Sequence, residues 1–244
     1  MTTPEAPSAG QPHTPIVTDA VRLVRVLFSP GAVYSEQQDR PTFWWPWVII
    51  SVVYALLQFL QRPFQARIRE LMMQRAGQPA RGGGTGAVTT VLGIGGSFLS
   101  VLVISAIAAV ILYLLLMAFG GETTYKKMLT VVIFTWPIQC IQGILTYVVL
   151  TMRGVASINS VWDMVVSFGV DLVIPTEGMG SFLRLFLTGI GPLQVWSVAI
   201  TAIGLTVLGK VGKGAAWTAA IIGYLIGLAL ASGLGAFGMR MAGG

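Results

Sequence analysis

The sequence predicts an all-α protein, a polytopic transmembrane helical bundle with five spans plus short interfacial amphipathic helices, and three observations carry that expectation. Charged residues make up 10% of the chain and hydrophobic residues 55%, whereas about a quarter of a soluble domain is charged. The apolar residues gather into runs close to the roughly 20 residues that a helix needs to cross a bilayer. The five predicted cores, at 44–61, 88–119, 128–150, 192–208 and 214–237, contain no Asp, Glu, Lys, Arg or His. These cores leave little of the 244 residues for a separate soluble catalytic domain. The net charge of +6 is dispersed through interhelical loops, so attraction to anionic lipid explains it better than nucleic acid does.

Residues 1–15, rich in Pro, Thr and Ala, lack the apolar core of a signal peptide and read as a disordered tail. Residues 16–42 form an amphipathic interfacial segment, in which Val17, Val21, Val24 and Phe28 recur at helical spacing while Asp19, Arg22 and Arg25 lie mostly elsewhere. Such a helix can lie on the membrane with Arg22 and Arg25 toward lipid phosphates, or pack on the protein's own loops. Ser29-Pro30-Gly31 ends it. The five-helix transmembrane domain is assigned to 43–244, opening on the aromatic cluster Phe43-Trp44-Trp45-Pro46-Trp47 at the mouth of the first span. Past that span, an arginine-rich helical pattern gives way to the flexible linker Gly82-Gly83-Gly84-Thr85-Gly86.

The second span ends at Gly120 and Gly121, and the third begins within about one turn, so the chain makes a tight hairpin here. Glycine supplies the backbone conformations that let one helix stop and the next start. Glu122 suits the positive end of the following helix dipole, but Lys126 and Lys127 oppose it. An outside partner, such as lipid phosphate or an acidic protein segment, would account for the lysines, so Gly120, Gly121, Glu122, Lys126 and Lys127 are the candidate binding surface.

Pro137 removes one backbone hydrogen bond from the third span and predicts a kink packed against a neighbour. Residues 154–175 read as an interfacial helix, because Asn159, Asp163, Ser167 and Asp171 recur every four residues. In the last span Gly223, Gly227, Ala231 and Gly235 share one smooth face, expected to serve chiefly as an internal helix contact and otherwise a homo-oligomer contact. Substitution of Gly227 by leucine is accordingly expected to destabilise the bundle.

No catalytic, cofactor or metal site is expected. Ser97, Ser100 and Ser105 have no nearby histidine or lysine to activate them, His13 stands alone in the tail, and Cys140 reads as a packed core thiol. Charge-free cores also argue against an ion-coupled transporter, which usually keeps an ionisable residue within the bilayer.

The segments 22–30 (RLVRVLFSP), 40–47 (RPTFWWPW), 120–137 and 194–209 (QVWSVAITAIGLTVLG) are together similar in order and spacing to the Yip-one domain family of integral membrane proteins. The resemblance implies five transmembrane helices with a cytosolic N-terminus. Eukaryotic members are associated with Rab-type GTPases and vesicle traffic. The short segment ahead of the first helix departs from theirs, and the chain looks like a bacterial-type member, multi-pass in the cytoplasmic (inner) membrane. Positive charge alone does not orient it: seven Lys and Arg fall on the N-terminal side and eight on the other.

Two functions remain in view. One is a non-enzymatic scaffold or adaptor that binds other membrane proteins or organises membrane lipids, anionic lipids included. The other is a channel or carrier for a neutral or lipid-like solute, with Gln58, Gln61, Gln139, Gln142 and Gln194 lining a continuous polar path.

Overall fold

The computed structural model describes residues 15–75, 77, 87–176 and 178–241. The assigned tail falls outside these except for Pro15, as do His13 and the linker Gly82-Gly83-Gly84-Thr85-Gly86. Among the described residues the architecture is entirely helical.

Two short helices, α1 (Pro15–Arg25) and α2 (Pro30–Glu36), precede the spans. On α1 and the turn after it, Val17, Val21, Val24 and Phe28 face outward, Phe28 being 80% exposed, while Leu23 and Val26 are buried. The predicted apolar stripe is therefore not covered by the protein's own loops. An exposed apolar ridge of this kind is stable when it meets hydrocarbon at the membrane boundary. α2 does the opposite, burying Val33 and Tyr34 completely.

Three helices are individually long and apolar enough to cross a membrane: α5 (Ala87–Ala118), α6 (Tyr125–Arg153) and α9 (Lys213–Met241). The number rises to five if each of two bent pairs makes one span. In the first pair α3 (Trp44–Leu60) meets α4 (Arg62–Arg75) at 53°, and in the second α7 (Ser181–Thr188) meets α8 (Pro192–Leu208) at 67°. α3 and α8 have 17 residues each, about 25 Å at 1.5 Å per residue and a little short of the hydrocarbon thickness.

α6 is the central helix. Residues 128–134 are all buried, so at this level the helix is surrounded by α3, α5 and α8 and touches little lipid. It runs on through Pro137 without a break in the helix, and beside the proline Trp136 donates its indole N–H to Ser105 Oγ of α5 at 2.7 Å. That bond satisfies two polar groups that hydrocarbon could not. A second, smaller core of Phe64, Ile68, Leu150, Ile158 and Val166 joins α4 to the far end of α6.

Residues 154–175 do not form the expected helix. Gly154, at φ +78°, ends α6, and three separate 3-10 turns follow, at Val155–Ser157, Val161–Met164 and Val170–Leu172. The polar residues spaced every four are ties and caps. Asp163 accepts the backbone N–H groups of Asn159 and Ser160, each at 2.8 Å, while Asp171 accepts hydrogen bonds from the Ser167 and Thr188 hydroxyls. Burial alone would raise the Asp163 carboxyl, but these backbone donors, the Ser160 hydroxyl and the charge of Arg153 together outweigh it and hold it below its ordinary value. Short polar side chains that bond nearby backbone compete with helix formation, so the spacing mimicked a helical face.

The small-residue face of α9 also departs from expectation. A Cβ on Gly223 would lie 2.7 Å from Leu112 Cδ2 of α5, and one on Gly235 2.9 Å from Leu185 Cδ1 of α7, so these two are close internal contacts. Gly227 has open space where its Cβ would stand, and Ala231 is exposed. The destabilisation expected for Gly227→Leu therefore belongs to Gly223 instead, where a side chain has no room.

Candidate functional site

The hairpin between α5 and α6 is built by two glycines with different tasks. Gly120, at φ +74°, takes the left-handed conformation that ends α5. Its N–H bonds to Met117 O at 3.1 Å and that of Gly121 to Leu116 O at 2.9 Å, the paired bonds of a Schellman stop. Gly121 is needed for space, since a Cβ there would lie 2.7 Å from Val211 Cγ1 and 3.2 Å from the Gly209 and Leu116 carbonyl oxygens. Thr123 Oγ1 donates to Leu208 O at 3.2 Å, so the hairpin is bound to the turn between α8 and α9.

The cap of α6 is Thr124, whose side chain accepts the Lys127 N–H at 3.4 Å. Glu122 lies two residues ahead of that cap and is exposed, so the structure places it outside the first turn, where its expected dipole role weakens. A threonine three residues before Lys127 was a legible capping signal. Lys126 and Lys127 occupy the first turn of α6, and the neighbouring turn adds Lys210 and Lys213. Lys210 is the one non-glycine residue at positive φ among those described. None of the four lysines, nor Glu122, makes an ion pair among the described residues. Four unneutralised cations thus occupy one end of the bundle.

α1 and α2 lie at this same end. Tyr34 donates to Val131 O at 3.4 Å, and Gln38 donates to Val207 O at 3.4 Å. Arg22 and Arg25, expected to meet lipid phosphate, instead grip Glu36: Arg22 Nε lies 3.0 Å from Oε2 and Arg25 Nη1 3.0 Å from Oε1, with Arg22 also bonded to the buried Asp19 at 3.0 Å. The two guanidiniums therefore hold α1 on α2, leaving less of their charge for phosphate.

Burial alone would raise the Glu36 carboxyl, but hydrogen bonds and charge from Arg22 and Arg25 outweigh it and hold it below its ordinary value of 4.5. A depressed carboxylate stabilises the fold above its unfolded pKa and loses that contribution as pH falls through the folded value. The clamp should be intact at neutral pH and open on acidification below about 4.5. Hydrogen exchange of the α1 amides should rise over that interval, and Glu36→Gln should raise it already at pH 7 while changing the global melt by less than about 1 kcal/mol. Equal α1 protection in both proteins at pH 7 would refute the clamp.

The five glutamines do not line one path. Gln139, Gln142 and Gln194 face a cavity of about 490 Å³ among α5, α6, α8 and α9. Gln58 faces a second cavity where α3, α4 and the start of α5 meet, beside Arg62 and Arg69. Tyr54, edge-on to Trp136, is a wall common to both. The amides bond in separate pairs, Gln194 to Gln142 at 2.7 Å and Gln65 to Gln58 at 3.0 Å.

Among the described residues no group of His, Cys, Asp and Glu is placed to hold a metal ion. The Yip1 domain pattern matches residues 24–234. Membrane protein YknW of Bacillus subtilis (strain 168) is 30% identical over 224 residues, which cover 89% of this chain and 92% of the relative. No solved structure matches the chain.

Proposed function

Because the chain belongs to the Yip1 domain family of membrane proteins, we propose that it is a non-enzymatic scaffold or adaptor of the bacterial cytoplasmic membrane. Its lysine-rich end, set around the α5–α6 hairpin, holds other membrane proteins through their acidic segments, or anionic headgroups, and faces the cytoplasm together with the N-terminus.

The observation that carries this reading is the set of four lysines without intramolecular ion partners among the described residues, three of them in the first turn of a helix and so against its dipole. Charges arranged against the local field of their own fold are stabilised when a partner neutralises them. The carrier alternative is less well supported, since the glutamines divide between two cavities and bond in separate pairs.

Affinity purification in mild detergent tests the reading by comparing the native chain with a variant carrying Gln at 126, 127, 210 and 213. Co-purifying membrane proteins or anionic phospholipid should fall about tenfold or more, as removal of several charge contacts of about 1 kcal/mol each requires. The melting curve should stay in place. Undiminished association in a folded variant would show that the binding surface lies elsewhere.

A further inference from the structure

We infer that the cavity among α5, α6, α8 and α9 binds a neutral lipid, a hydrocarbon chain bearing an uncharged group with hydroxyl or carbonyl oxygen. This goes beyond the adaptor reading and does not depend on it. The volume of about 490 Å³ lies in the range of small-molecule sites. One wall is polar, with Thr135, Gln139, Gln142, Gln194, Ser197 and Thr201, and the facing wall is Ile104, Ala108 and Leu112 of α5.

The hydrogen-bond inventory selects the ligand's chemistry. Thr135 and Thr201 are satisfied within their own helices, donating to Val132 O and Ser197 O. Gln194 Nε2 donates to Gln142 Oε1, which leaves the Gln142 amide N–H groups and Gln194 Oε1 with no further bond among the described residues. Gln139 makes none at all there. Donors and acceptors are thus both on offer, and plain hydrocarbon would leave them unpaired. Among the described residues no charged side chain lines the cavity, so an ionic headgroup would be desolvated without a counter-charge from them.

The route of entry identifies the ligand as a lipid. Gln139 stands midway along the 29-residue α6, at the depth of the membrane interior. α9 touches α5 where Gly223 receives Leu112, and beyond that contact the exposed Gly227 and Ala231 border the cavity, facing Ile104, which is 53% exposed. Small residues there leave a lateral opening toward the bilayer instead of toward water.

The test uses the full-length protein in phosphatidylcholine nanodiscs with a trace of photoreactive diacylglycerol, and a phosphatidylglycerol bearing the same photoreactive chain as the charged control. Cross-links from the neutral probe should map to residues 132–142 and 194–201. Gly227→Trp, which closes the opening, should reduce them about tenfold with an unchanged melting curve, and Gln139→Leu should reduce them up to about tenfold through one lost hydrogen bond. Ala231→Phe replaces Gly227→Trp should the latter fail to fold. The inference is overturned if cross-links fall only on outward residues such as Leu114 and Leu230, if closing the opening leaves them unchanged, or if the anionic probe labels the cavity equally.

Discussion

Gly204→Leu is expected to lower the melting temperature of the detergent-solubilised protein more than any change at a lipid-facing position. A Cβ at Gly204 would stand 2.9 Å from Cε2 and Cζ of Tyr34 and 3.0 Å from Cγ1 of Val131. Tyr34 cannot retreat: it is fully buried, its hydroxyl bonds to Val131 O, and its ring lies edge-on to Phe134. The added side chain must therefore push α2 off α8 or part α8 from α6, the three elements that meet here. Overpacking at a well-packed site costs about 1–3 kcal/mol, whereas a substitution facing lipid changes little. A melt of Gly204→Leu indistinguishable from that of the native chain would mean that α2 is not seated on α8.

Gly121→Leu should combine two losses. The new side chain has to displace Val211 or break the approach of the hairpin to the Gly209 carbonyl, again at about 1–3 kcal/mol. It would also shift the α5–α6 hairpin against the turn that carries Lys210, so association should fall along with stability. The lysine-to-glutamine variant differs by losing association alone. Were Gly121→Leu to melt lower yet bind partners as before, the relative placement of the two turns would be irrelevant to binding.

The long helices were legible because composition and punctuation agree. The expected 192–208 coincides with α8, where Pro192 sets the first helical residue and Gly209 follows the last, and the expected 44–61 ends one residue beyond α3. The hairpin was equally open to reading, since two adjacent glycines between apolar runs have few other uses. α7 is not legible in the sequence because eight residues with an arginine among them are too short for a span; that arginine, Arg184, stacks over the Trp162 ring at 4.1 Å.

Contacts between distant segments were the part that local pattern could not supply. Spacing put Gly223, Gly227, Ala231 and Gly235 on one face of α9, but it carried no information that Leu112 and Leu185 would approach two of them and a cavity the others. It likewise showed that Arg22 and Arg25 avoid the apolar stripe of α1, while Glu36, their partner, lies beyond the turn at Ser29. The Gln142–Gln194 bond joins residues 52 apart, and it turns two path-lining candidates into partners of each other.

The orientation of the lysine end underlies the whole functional reading, and accessibility in spheroplasts tests it directly. In a Cys140→Ala background, single cysteines replace Lys126 and Lys213 at the lysine end and Arg69 at the arginine end, all three exposed positions. With a membrane-impermeant maleimide, position 69 should label in intact spheroplasts, and positions 126 and 213 only after lysis. Labelling of 126 or 213 in intact spheroplasts, or of all three from one side, would contradict a cytoplasmic lysine face.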